Sequence, residues 1–152
     1  MIIIGYQGLG KTTICQKYNN YIDLKCSDYR TIENNDDPDW FLPYCLDGEK
    51  LSHEGKVVFM SHNIEVCDYM KSSSENNYII IPDDSLYDYW IEKLKNRSDR
   101  TGQSKDYYAW LNAKDNFYDE MKYYRETYTN VYIIYDQNYS LEDIVLELLE
   151  RD

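Results

Sequence analysis

At 152 residues the chain has room for one domain that withdraws roughly 70% of its unfolded surface from water, and no second domain is expected. Its formal net charge of −12, from 28 acidic against 16 basic residues, includes no Lys/Arg run dense enough to give a duplex a basic face, which disfavours tight sequence-independent DNA binding. Four cysteines without a C-x-x-C pair, with two histidines, give little support to a metal site or a disulfide framework; Cys15, Cys26, Cys45 and Cys67 read as reduced thiols of a cytoplasmic protein.

Met1 to Ile4 is an apolar, β-branched run of the kind that makes a buried parallel strand. A strand starting there leaves no room for a signal peptide, and no later apolar run approaches membrane-spanning length. The run breaks into Gly5-Tyr6-Gln7-Gly8-Leu9-Gly10-Lys11-Thr12, the G-x-x-x-x-G-K-T spacing of a phosphate-binding loop. Glycines at 5, 8 and 10 permit backbone angles that a Cβ forbids, so successive N–H groups can turn inward around a phosphate. Lys11 adds a positive charge, the Thr12 hydroxyl can ligate magnesium, and a helix over "KTTICQKY" brings its positive dipole end to the same place. Gly5, Gly8, Leu9, Gly10, Lys11, Thr12 and Thr13 are therefore the expected nucleotide-binding residues, with ATP and Mg2+ as the expected cofactors.

A short second strand in "NYIDLKC" ends near Asp23, and the polar stretch that follows reads as a loop. Asp37-Pro38 then has the form of an N-cap with proline at the first helical position, opening a helix that Gly55 closes. "KVVFMS" is a strand, "NIEVCDYMKSSS" a helix fading into a loop, and "NYIIIP" a strand. "DDSLYDYWIEKLKN" carries Ser85 with Asp88 three residues on, a capping pattern, ahead of an apolar face at Leu86, Tyr89, Trp90 and Leu94. After a polar break, "RSDRTGQS", comes a long helix with the stripe Tyr107, Trp110, Leu111, Phe117, Met121, Tyr124 and Tyr128, read as core packing. "NVYIIYD" is the fifth strand. The last helix is capped by Ser140 with Asp143 and buried through Leu141, Ile144, Val145, Leu148 and Leu149. Five apolar strands alternating with helices predict a doubly wound parallel sheet with its ligand crevice at the strands' carboxyl ends, where the candidate polar residues fall. The 18 tyrosines, scattered over helices and strands, read as packing residues with wet hydroxyls.

This pattern of elements resembles a small P-loop kinase of the nucleoside monophosphate kinase type, similar in plan to adenylate, thymidylate and shikimate kinases. The resemblance spans nearly the whole chain, with residue-level specificity in the phosphate loop. It implies a three-layer α/β fold with a five-stranded parallel sheet in the order 2-3-1-4-5 and a short helical lid near residues 95–106. It implies that Asp23 holds a metal-bound water or takes the acceptor's proton, with Thr12 and Asp23 as metal ligands, unless Asp23 only caps its loop. Ser27 and Arg30 fall in the acceptor region, where Arg30 would grip a phosphate bidentately or stand solvated. Arg97 and Arg100 fall in the lid, where phosphoryl transfer needs positive charge; Gln137 falls where the adenine would sit.

"VVFMSHN" has no acid at the end of the third strand, so Ser61 and His62 stand where one often does. His62 would orient the acceptor or simply be hydrogen-bonded there. The expected function is ATP-dependent phosphoryl transfer to a nucleotide or nucleoside acceptor by a cytoplasmic monomer or homodimer without membrane partners. A kinase of a hydroxymethylated base in DNA, and a non-catalytic nucleotide-sequestering protein, are the alternatives. The Tyr- and Asn-rich composition also resembles that of phage proteins, which would put the chain in a host cytoplasm.

Overall fold

The computed structural model describes all 152 residues. In chain order the elements are β1 (Ile2–Gly5), α1 (Lys11–Lys17), β2 (Tyr21–Asp23), α2 (Phe41–His53), β3 (Val57–Ser61), α3 (Ile64–Met70), β4 (Asn77–Pro82), α4 (Tyr87–Thr101), α5 (Ser104–Thr127), β5 (Val131–Ile134) and α6 (Leu141–Glu150), with 3-10 turns at Cys26–Asp28 and Asp84–Leu86. The strands form one parallel sheet in the expected order, β2-β3-β1-β4-β5. Register sets β1 against β3 from Ile2↔Val58 to Gly5↔Ser61, and β2 against β3 from Tyr21↔Val57 to Asp23↔Phe59. Gly5 and Ser61 thus finish level at the carboxyl ends, and Asp23 ends β2 two residues earlier, opposite Phe59. No helix is long and apolar enough to cross a membrane.

The chain packs as two compact units. The first comprises Met1–Gly5, Leu9–Ile79 and Ser140–Asp152. Its core is Ile2, Ile3, Ile4, Val58, Phe59 and Met60, all without exposed surface, under Tyr44, Cys45, Val66, Cys67, Val145 and Leu148. Burying each large apolar side chain contributes about 1.5–3 kcal/mol, so the β-branched strands that the sequence advertises also carry much of this unit's stability. Close packing reaches the backbone at Gly48 of α2, where a Cβ would lie 2.7 Å from Met60 Sδ. The four cysteines stand as free thiols.

The second unit comprises Tyr6–Gly8 and Ile80–Tyr139. Helices α4 and α5 bury Trp90, Leu94, Ala113, Phe117, Met121 and Tyr124, and Tyr6 fills the space beside Phe117 edge-on, with ring centroids 6.0 Å apart. The Arg125 guanidinium donates to both oxygens of Asp84, at 3.0 and 3.3 Å.

Five local expectations need correction, the first being Tyr107, which stands 46% exposed rather than in the core stripe of α5. Asp37 does not cap α2: its carboxylate accepts from Asp39 N–H and its carbonyl from Trp40 N–H, closing a turn before the helix starts at Phe41. Pro43 sits at the third helical position, where a missing N–H costs no intrahelical bond, while Gly55 closes the helix at φ +91° as expected. Ser85 is not the cap of α4; Asp83 caps the preceding turn by accepting from both the backbone and the hydroxyl of Ser85. The polar break after Asn96 is helical: α4 continues to Thr101 and ends at Gly102, φ +63°, because Arg97 and Arg100 are good helix formers and no glycine or proline interrupts the chain before Gly102. Leu149 is 37% exposed, whereas Leu141, Ile144, Val145 and Leu148 are buried, and Ser140 accepts from Asp143 N–H as its sequence predicts.

Candidate functional site

The loop between β1 and α1 adopts the conformations its glycines were expected to permit. Gly8 and Gly10 have φ of +82° and +105°, both in the left-handed region that favours glycine. Gly5 answers a different demand: a Cβ there would lie 2.6 Å from Leu9 Cδ2, so the loop folds onto β1 through the buried Leu9 side chain. Helix α1 starts at Lys11 with no side-chain cap. At seven residues its dipole is short, so any attraction for an anion here would rest mostly on the loop's N–H groups and Lys11. Thr13, in its first turn, is exposed.

In the first unit, Lys11 Nζ lies 3.4 Å from both Gly5 O and Met60 O, bridging the ends of β1 and β3. The Thr12 hydroxyl donates to Asp23 Oδ2 at 3.2 Å. The two expected metal ligands, eleven residues apart in the chain, are thereby brought together by β2 returning beside α1. Cys15 adds no reactivity: burial, and next the Asp23 charge, push its thiol up to about 12. Lys17 and Tyr18 both bind the Glu142 carboxylate, which ties the end of α1 to α6.

The stretch after β2, where an acceptor is expected, is held by Tyr44. Its buried hydroxyl donates to Leu24 O (2.7 Å) and accepts from Ser61 N–H (2.8 Å), joining the chain just after β2 to the end of β3. Trp40 stacks on Tyr44 and carries the Arg30 guanidinium over its ring at 4.9 Å. Arg30 is exposed and makes no ion pair; Ser27 is exposed on the 3-10 turn. His62 is half-buried, bonds to the Gly5 backbone, and is brought down to about 4 by burial first and by Lys11 second. The Asn63 amide donates to Cys26 Sγ at 3.7 Å. Tyr44 carries no signal of this role in the sequence, because a tyrosine at a helical core position normally marks packing alone.

In the second unit, Arg97 Nε lies 3.3 Å from Asp106 Oδ1, poorly aligned for a hydrogen bond, and Asp106 also accepts from the Thr101 hydroxyl at 2.5 Å. Arg100 is exposed in the last turn of α4. Gln137 is exposed in the loop after β5. Lys93 of α4 was not singled out: its ammonium lies over the rings of Trp90, Tyr139 and Tyr89 at 4.6, 5.2 and 5.8 Å and donates to the Tyr139 hydroxyl. Burial, then the Arg97 charge, bring it down to about 8.

A parallel 2-3-1-4-5 sheet with a glycine-rich phosphate loop after its first strand defines the P-loop kinase fold. A solved gluconokinase from Sinorhizobium meliloti 1021 shares it: the match covers 98% of this chain and 88% of that one, with a TM-score of 0.53 and 16% sequence identity. No protein-family model and no curated protein sequence matches the chain.

Proposed function

We propose that this protein is a phosphotransferase that moves the γ-phosphoryl group of ATP to a small-molecule acceptor, with nucleotides and nucleosides the leading class. The observation that carries the reading is the Thr12 hydroxyl on the Asp23 carboxylate, with the Lys11 ammonium bridging the carbonyls of Gly5 and Met60 beside them. A hydroxyl and a carboxylate already within hydrogen-bond reach suit magnesium, which takes hard oxygen donors from one or two side chains and completes its shell with phosphates and water. When bound, the ion would supply charge neutralisation for the phosphates.

The protein's own groups divide the remaining work. Loop N–H groups and Lys11 bind the phosphates, Lys11 exchanging two carbonyl contacts for charge-assisted ones. Asp23 accepts the acceptor hydroxyl's proton as that oxygen takes the phosphoryl group. Arg30, pre-set by stacking on Trp40, holds an anionic group of the acceptor. His62, neutral at pH 7 because of its lowered pKa, orients the acceptor by hydrogen bonding rather than by charge.

The test is coupled ADP release with ATP and magnesium over a panel of ribo- and deoxyribonucleosides and their monophosphates. Gluconate joins the panel because of the gluconokinase likeness. One responsive acceptor, lost in Lys11→Ala, is the expected result; a silent panel would overturn the small-molecule reading. The lack of an acid at the end of β3, where Ser61 and His62 stand, favours a nucleotide-sequestering role as the second reading, selected if ATP binds but nothing is phosphorylated.

A further inference from the structure

Residues Tyr6–Gly8 of the phosphate loop are gripped by side chains that no glycine-lysine motif specifies. The Trp90 indole N–H donates to the Gln7 carbonyl at 2.7 Å. The Gln7 side-chain amide donates to Ala109 O at 2.9 Å. A Cβ on Gly8 would lie 2.9 Å from Leu94 Cδ2 and 3.3 Å from Trp90 Nε1, so α4 rests directly against the loop backbone. Trp90 itself is fully buried: Tyr139 stacks on it at 5.8 Å with planes 16° apart, and the Lys93 ammonium lies on that same side, 4.6 Å from the Trp90 ring and 5.2 Å from the Tyr139 ring.

From this geometry we infer that Trp90 is a positioning residue for nucleotide binding, its indole N–H fixing the orientation of the Gln7–Gly8 peptide and with it the inward aim of the Gly8 N–H. The carbonyl of Gln7 and the N–H of Gly8 belong to one rigid plane, so a bond to the first sets the direction of the second. Without that donor, the peptide can rotate about the flexible glycine, and the loop must be reordered by each incoming phosphate at an entropic cost. Packing against Tyr139 and Lys93 in a fully buried site holds the ring in one rotamer, so the donor is pre-organised. This inference rests on the nucleotide-binding reading of the loop.

Trp90→Phe retains an aromatic ring and removes the donor; Leu94→Val loosens the same packing and keeps it. Two measurements on the full chain separate the possibilities. In ATP titrations with magnesium, Trp90→Phe is expected to raise Kd about tenfold, the equivalent of roughly 1.4 kcal/mol, while Leu94→Val changes it less than twofold. In amide hydrogen exchange without nucleotide, the segment 6–10 is expected to exchange at least several-fold faster in Trp90→Phe than in Leu94→Val. Equal exchange in the two variants, or an unchanged Kd for Trp90→Phe, overturns the inference. If the wild-type chain binds no ATP, the proposed function fails, and the exchange measurement still decides whether Trp90 fixes the loop.

Discussion

Tyr44→Phe removes one oxygen atom and breaks two hydrogen bonds. The hydroxyl donates to Leu24 O at 2.7 Å and accepts from Ser61 N–H at 2.8 Å, and Tyr44 itself is fully buried. Phenylalanine fills the same space, so no large cavity opens; the cost is a carbonyl and an N–H left without partners. An unsatisfied buried polar group costs about 1–3 kcal/mol, and with both groups only partly shielded the low end applies to each, giving about 2–3 kcal/mol. In a chain of this size that corresponds to a Tm lower by about 4–12 °C. Urea denaturation followed by far-UV circular dichroism reads the change directly, with an unaltered slope if only the native state is affected. A loss below about 0.5 kcal/mol would refute the reasoning, because the two strand ends would then not depend on the hydroxyl.

Further predictions concern groups whose environment has a definite sign. His62 is lowered from 6.5 to about 4, so it imposes no penalty above pH 6.5; stability then falls as pH drops towards 4, where the unfolded chain binds a proton that the folded chain refuses. His62→Gln should flatten that part of the stability profile, and an identical slope in the variant would contradict the assignment. Gly8→Ala forces an L side chain to φ +82° and against Leu94, and should cost on the order of 1–3 kcal/mol with weakened ATP binding; a variant as stable as wild type would count against the loop geometry. Lys93 faces Trp90, Tyr89 and the Tyr139 hydroxyl, with Arg97 the charged group that perturbs it. Raising pH through about 8 discharges it, so Trp90 fluorescence should titrate there in wild type and not in Lys93→Met; a titration surviving in the variant would refute the cation–π contact.

Much of the fold can be read directly from the sequence. The runs IIIG, VVFMS and NYIIIP are strands because β-branched content suits a strand buried on both faces. The Ser140–Asp143 cap and the Gly55 stop are local chemistry, and local chemistry is visible one residue at a time. The missed boundaries depend on competition between neighbours. Asp83 outcompetes Ser85 as a cap because its carboxylate reaches two donors, and α4 runs through Arg97 and Arg100 because nothing before Gly102 stops it. At the candidate site, the glycine spacing foretold the left-handed turns at Gly8 and Gly10, and the place of Asp23 at a strand end foretold its contact with Thr12. Tyr44 and Trp90 left no such signal, since each is an apolar helical position whose single polar atom meets a backbone group far away in sequence. A buried tyrosine or tryptophan announces packing; only the fold reveals which carbonyl it serves.

The central claim is that the loop from Gly5 to Thr12, with Asp23, holds ATP together with magnesium. Calorimetric titration of ATP into wild type and Lys11→Ala, each with and without magnesium, tests it most directly. The account predicts saturable one-to-one binding to wild type that magnesium strengthens, and loss of most of that affinity in Lys11→Ala. Absent binding, or binding indifferent to both magnesium and Lys11, would contradict it.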